Sequence, residues 1–140
     1  MAKHIFISHA WRYDEDYYRL ESLLEKEKED PLSDFDFKNY SVPKHDPLID
    51  PNTEIGKRKL TELLDAQIKS TSCVIILGSM YAHYSYWIQK EIKIAQSYPN
   101  KGIIAVYPWG QSNMPVSVQE AADFIVGWNT KSIVDAIMKC

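Results

Sequence analysis

At 140 residues, with 45% hydrophobic and 25% charged side chains, the chain suits a single domain, 1–140, with a substantial core. Its net charge of -3 leaves no basic excess to neutralise a phosphate backbone, which argues against nucleic acid as a partner. The opening Met-Ala-Lys-His-Ile-Phe-Ile is far shorter than a signal-peptide core and no stretch approaches a membrane span, so a cytoplasmic protein with no membrane partner is expected.

Strand-like and helix-like segments alternate along the chain, the pattern of an α/β domain built on a mostly parallel sheet. His4-Ile5-Phe6-Ile7 forms the first strand. A helix over about 13–28 follows, with Tyr13, Tyr17, Leu20 and Leu24 on one face and Asp14, Glu15 and Asp16 at its positive N-terminus. The charged run from Glu21 to Asp30 reads as a solvated helix face. Phe35-Asp36-Phe37 alternates and Tyr40 and Val42 resume out of phase, which predicts an edge strand with a bulge near Lys38 and Asn39. Residues 43–52 carry Pro43, Pro47 and Pro51 and form a loop longer than a usual strand-to-helix connection.

Thr53 is placed to cap the second helix, whose buried stripe is Leu60, Leu63, Leu64 and Ile68. Cys73-Val74-Ile75-Ile76-Leu77 is the most apolar strand and belongs at the centre, covered on both faces. Gly78-Ser79-Met80 leads into a third helix, and the turn 99–102 into a fourth strand, Ile103-Ile104-Ala105-Val106-Tyr107. A short helix over 116–122, a strand at Phe124-Ile125-Val126 and a final helix capped by Asn129, with Ile133, Val134 and Ile137 inward, complete the chain. Trp109 and Trp128 read as loop anchors. Cys73 and Cys140 show neither a disulfide framework nor metal-ligand spacing, and both are expected as free thiols.

In open α/β sheets ligands bind beyond the carboxyl ends of the strands. Those ends offer Ser8-His9-Ala10-Trp11, the proline-rich loop, Ser79-Met80-Tyr81 and Pro108-Trp109. The five glycines never reach a dinucleotide-fold or P-loop spacing. Ser8-His9-Ala10-Trp11 is too bulky for a flavin phosphate loop, and the central strand ends in Leu77-Gly78-Ser79 where a phosphoacceptor domain carries aspartate. The four histidines lie on separate segments, so no metal site is expected, and there is no nucleophile elbow.

One residue breaks the hydrophobic pattern. At about 100° per residue, Trp87, Glu91, Ile94, Tyr98, Tyr84, Ala95, Ile88 and Ile92 fill one arc of the third helix, while Ser85, Gln89, Lys90, Lys93, Gln96 and Ser97 fill the other. Glu91 is the only charge on the apolar half. A carboxylate there requires either a structural partner or a pocket to face.

Taken in order, these segments resemble a known family. Ile5-Phe6-Ile7-Ser8-His9-Ala10 resembles the first conserved box of Toll/interleukin-1 receptor (TIR) domains, and the loop 43–52 resembles their BB loop. Ser79-Met80-Tyr81, followed by Trp87 and Glu91, resembles the family's serine after the central strand and its Trp-x-x-x-Glu helix. The nearest subgroup comprises stand-alone prokaryotic TIR-like proteins, including the TIR components of Thoeris anti-phage defence. The resemblance implies a flavodoxin-like three-layer sandwich with a five-stranded parallel sheet of order 2-1-3-4-5.

It further implies cleavage of the nicotinamide–ribose bond of NAD, giving nicotinamide and ADP-ribose or a cyclic isomer as a signal read by a separate effector protein. NAD is then a substrate, and no cofactor is implied. Glu91 is the implied catalytic residue, with Phe6, Ser8, His9, Trp11, Asp50, Ser79 and Trp87 around the substrate. The chain departs from the family pattern in lacking an acidic residue before the first strand and a glycine and arginine in the loop 43–52. Those departures motivate a second class, a non-catalytic module assembling as a homo-oligomer through TIR–TIR contacts, with Ile94 and Tyr98 extending its apolar face. A nucleoside deoxyribosyltransferase-like enzyme, which also uses one glutamate on a similar fold, is a third.

Overall fold

Five consecutive apolar residues, Cys73–Leu77 (β3), are buried along their whole length, which requires helices on both sides of the strand. In the computed structural model, which describes residues 2–8, 15–41, 53–77, 81–107 and 114–140 (81–85 by backbone alone), β3 is the middle of five parallel strands. Its neighbours are Lys3–Ile7 (β1) and Gly102–Val106 (β4), with Phe37–Asn39 (β2) and Phe124–Val126 (β5) at the edges, in the order β2-β1-β3-β4-β5. The helices are Glu15–Glu29 (α1), Glu54–Lys69 (α2), Tyr81–Ser97 (α3), Val116–Ala121 (α4) and Thr130–Lys139 (α5). This is the flavodoxin-like architecture with the expected strand order. Among the described residues no helix is long and apolar enough to cross a membrane.

The caps follow from local chemistry. Thr53 Oγ1 accepts from Gly56 N at 2.9 Å, and Asn129 Oδ1 accepts from Ser132 N at 3.0 Å, each satisfying an amide that the first helical turn leaves without an intrahelical partner. Leu60, Leu64 and Ile68 of α2 and Ile133, Val134 and Ile137 of α5 are buried as their spacing predicts, each contributing about 1.5–3 kcal/mol. At the foot of α3 the chain reverses through Asn100, which takes the left-handed φ of 68° that asparagine tolerates better than most residues.

Register assigns each strand residue to a face. Ile5 is paired with Asn39 and Cys73, and Cys73 with Gly102, so these four point the same way. Asn39 bonds to Tyr17 of α1 and Cys73 bonds to Cys140 after α5, so this is the α1/α5 face. The alternate residues His4, Phe6, Val74 and Ile103 point to the other side, where His4 Nδ1 meets the Ser70 carbonyl at the end of α2. α2 packs on α3, and Gln89 Nε2 donates to Ser117 Oγ at 3.2 Å, so α4 lies beside α3.

Three expectations change. The cysteines are not free thiols: Cys73 and Cys140 form a disulfide across 67 residues, with Cα atoms 5.6 Å apart. The start of β3 and the end of α5 meet at the amino-terminal end of the sheet's strands, a proximity that sequence spacing does not express. A Cβ on Gly102 would come within 2.7 Å of Cys140 Sγ, so glycine is what leaves room for the sulfur. Second, β2 has no bulge over its three residues. Pairing with β1 is regular and continues with Tyr40 N donating to Ile5 O at 2.8 Å.

What appeared as a phase slip is a polar residue, Asn39, facing inward after Phe35 and Phe37. Its Nδ2 donates to Tyr17 Oη and to Glu21 Oε2, both at 3.0 Å. Third, Glu21 therefore does not belong to a purely solvated helix face. Tyr17 is 3% exposed, and burial raises its phenol above the ordinary value near 10, further raised by Glu21 and opposed by the hydrogen bonds of Ser41 and Asn39. Tyr13 lies outside the described residues.

Two outcomes are expected. Closing so long a loop is worth about 4 kcal/mol by the chain-entropy account, so reductant or Cys140→Ser should lower the thermal midpoint by about 10 °C. Equal midpoints with and without reductant would mean that the sulfurs are not bonded. For Tyr17, a raised folded-state pKa means its contribution is fully present below pH 10 and declines above it, as the unfolded chain loses its phenol proton first. Tyr17→Phe should cost about 1–2 kcal/mol at neutral pH yet lose less further stability between pH 9 and 11 than the parent, measured by denaturant titration.

Candidate functional site

Among the described residues three buried side chains are polar: Ser8, Thr71 and Glu91. Thr71 is accounted for, because its hydroxyl donates to Ile68 O at 2.8 Å and closes the end of α2. Ser8 and Glu91 remain, a buried hydroxyl and a buried carboxylate.

Glu91 is 1% exposed on the buried side of α3, between Ile88 and Ile92 and one turn after Trp87, itself 8% exposed. The helical wheel is correct in each of these positions. Trp87 is held edge-on against Tyr86, with ring centroids 5.0 Å apart. The height of Glu91 follows from the foot of the helix. Tyr98 Oη donates to Asp65 Oδ1 at 2.8 Å and Lys101 Nζ donates to the carbonyls of Lys69 and Thr71, so that foot is level with the end of α2 and the start of β3. From Ser97 back to Glu91 is about 9 Å, against about 13 Å for a five-residue strand. Helical side chains also lean toward the N-terminus, here toward the carboxyl ends of the strands. Glu91 thus lies beside the upper half of the sheet and leans toward its rim.

Ser8 follows β1 directly, and the pleat that turns Phe6 toward α2 and α3 turns Ser8 the same way, one step closer to the rim. Its N–H donates to Ile75 O at 2.8 Å, while its Oγ is buried with no hydrogen-bond partner among the described residues. Leaving a hydroxyl so costs about 1–3 kcal/mol, an arrangement that needs a reason beyond folding. Phe6 is fully buried beneath it and packs in the core. The sheet therefore brings Phe6, Ser8, Trp87 and Glu91 into the single layer between its own face and α3. His9, Trp11, Asp50 and Ser79 lie outside the described residues.

Sequence reasoning missed the cluster on the other face, Tyr17, Glu21, Asn39 and Ser41. Its signal was present in Asn39, a strand residue with the wrong polarity for its phase. A cavity of about 970 Å³ also lies on that side, between α1 and the start of α5, lined by residues including Tyr18, Arg19, Lys26, Trp128 and Thr130. This groove and the buried polar pair Ser8 and Glu91 thus lie on opposite faces. The polarity is the better guide to chemistry, because the groove is an open surface feature whose Arg19 is already paired with Glu15 at 3.4 Å and Asp16 at 3.7 Å. Trp128 is half-buried there against the core, as a loop anchor should be.

The fold and the ordered motifs agree with one comparison. The family model of the Thoeris protein ThsB, TIR-like domain, matches residues 6–113, a span that begins within β1 and includes all of α3 and β4. No curated protein matches the chain closely enough to add to it. With that match over most of its length, on a 2-1-3-4-5 sheet carrying the Trp87/Glu91 helix, the chain belongs to the TIR-like domain family of the Thoeris protein ThsB.

Proposed function

We propose that this domain consumes NAD, cleaving the bond between nicotinamide and ribose to give nicotinamide and an ADP-ribose-derived product, linear or cyclic, that signals to a separate effector protein in anti-phage defence. The observation that carries the reading is Glu91, a buried carboxylate on the same side of the sheet as the unsatisfied Ser8 hydroxyl.

One carboxylate suffices for this reaction. A glycosidase needs a second group to protonate an alkoxide, whereas the pyridinium of NAD takes the C–N electron pair and leaves as neutral nicotinamide. What remains is an oxocarbenium-like ribose, whose positive charge an ionised carboxylate in a water-poor layer stabilises strongly. Water then adds to the anomeric carbon and releases a proton, giving ADP-ribose. Attack by N1 of the adenine ring instead gives the cyclic isomer, with loss of a proton from the adenine's exocyclic amine. The Ser8 hydroxyl would find its partner in a ribose hydroxyl of the bound substrate, and Trp87 would wall the site. NAD is the substrate in this scheme, and the chemistry calls for no metal or cofactor.

The assembly-module alternative drew on Ile94 and Tyr98 as an extension of the apolar face. Ile94 is partly buried against the core of this same chain, and Tyr98 is tied to Asp65, so both are partly engaged within the domain. Homo-oligomerisation through TIR–TIR contacts remains compatible with the enzyme reading and is a way to activate it.

Purified protein incubated with NAD should release nicotinamide, read by chromatography, and Glu91→Gln should reduce the rate by at least about 100-fold. Absence of release even under conditions that promote assembly, or undiminished release by the variant, would overturn the proposal. A nucleoside substrate assayed in parallel separates it from a deoxyribosyltransferase. Ser8→Ala provides an independent check. Removing an unsatisfied hydroxyl should leave stability unchanged or raise it by up to about 1 kcal/mol, while the KM for NAD rises. A variant that is destabilised with unchanged KM would make Ser8 structural.

A further inference from the structure

The ladder between β1 and β2 ends in a substitution of side chain for backbone. Up to Tyr40, backbone amides and carbonyls pair the two strands, with Lys3 N on Asp36 O at 2.9 Å and Tyr40 N on Ile5 O at 2.8 Å. One step further, Ile7 N donates at 3.0 Å to the hydroxyl of Ser41. Ser41 is fixed in turn by Asn39, whose Oδ1 accepts both from Ser41 N at 2.9 Å and from Ser41 Oγ in a short hydrogen bond. With its Nδ2 protons on Tyr17 and Glu21, Asn39 uses both of its donors and accepts twice through its carbonyl. The orientation of that amide is therefore determined on both sides, and a relay runs from α1 through Asn39 and Ser41 to the amide of Ile7.

The residue after Ile7 is Ser8, whose own amide is held from the opposite side by Ile75 O at 2.8 Å. The end of β1 is thus clamped across its full width, by Ser41 toward the edge and by β3 toward the centre. Nothing in a regular ladder requires four polar side chains for this purpose, since a backbone carbonyl could serve Ile7 equally well.

We propose that Asn39 and Ser41 are positioning residues that set the placement of Ser8 for substrate binding, without touching the substrate. This rests on the reading of the Ser8/Glu91 face as the NAD site. Loosening the clamp weakens substrate binding and leaves the chemical step at Glu91 intact.

The test compares Ser41→Ala, Ser41→Thr and Asn39→Ala with the parent protein in nicotinamide release, well below their thermal midpoints, together with hydrogen exchange at the Ile7 and Ser8 amides. The expected result is a KM for NAD at least five-fold higher in both alanine variants, with kcat within two-fold. Faster exchange at Ile7 should accompany it, and Ser41→Thr should restore both because it keeps the hydroxyl. Parent-like KM in folded alanine variants overturns the positioning role, as does a loss confined to kcat or to the folded fraction. If Asn39→Ala does not fold, the Ser41 pair decides the matter alone. A parent protein that releases no nicotinamide under assembly-promoting conditions overturns the NAD reading instead, and exchange at Ile7 then decides whether the clamp exists independently of it.

Discussion

Keeping a carboxylate in the layer between a hydrophobic sheet and a helix sacrifices several kcal/mol of hydration, and Glu91 is buried in that layer. α3 supplies a rigid backbone, Ile88, Ile92 and Ala95 pack beside the group, and the central strands provide a continuous apolar face opposite. In the proposed reaction the same exclusion of water that makes a charge expensive would make it effective, because a positive centre forming nearby would be screened little. A glutamate at a solvated helix face could stabilise such a charge only weakly.

The sheet divides two kinds of work. On the α1/α5 face lie the features that hold the chain together: the disulfide from Cys73 to Cys140, the glycine that admits it, and the polar relay among Tyr17, Glu21, Asn39 and Ser41. On the α2/α3 face lie the buried hydroxyl of Ser8 and the buried carboxylate of Glu91. The two faces communicate at the end of β1, where Ile7 is gripped by the relay and Ser8, one residue later, turns to the opposite side. Alternation along a strand places the clamped Ile7 and the Ser8 proposed to bind substrate next to each other in sequence while turning their side chains to opposite faces of the sheet.

Much of this architecture was legible in sequence because its elements are strongly periodic. The continuous apolar run at β3, the stripes of α2 and α5 and the caps at Thr53 and Asn129 each follow from a local rule, and Glu91 stood out because it violated one. What could not be read depends on three-dimensional proximity. The cysteines looked unrelated across 67 residues, and the inference of free thiols drew on their number and spacing, neither of which reports that β3 begins where α5 ends. Asn39 was read as a bulge because an inward polar residue and a shifted strand break alternation in the same way. Only the partners on α1 distinguish them. The role proposed for Glu91 came from resemblance, since a wheel identifies a misplaced charge without naming a reaction.

The most direct test of the central claim measures two properties on one sample of Glu91→Gln: its thermal midpoint and its rate of nicotinamide release from NAD, beside the parent protein. If the carboxylate is buried for chemistry, the variant remains folded with a cooperative transition while release falls by at least about 100-fold. If it is buried for structure, the variant loses cooperative folding, or retains the parent's rate for as long as it is folded, and the account given for the α2/α3 face is wrong.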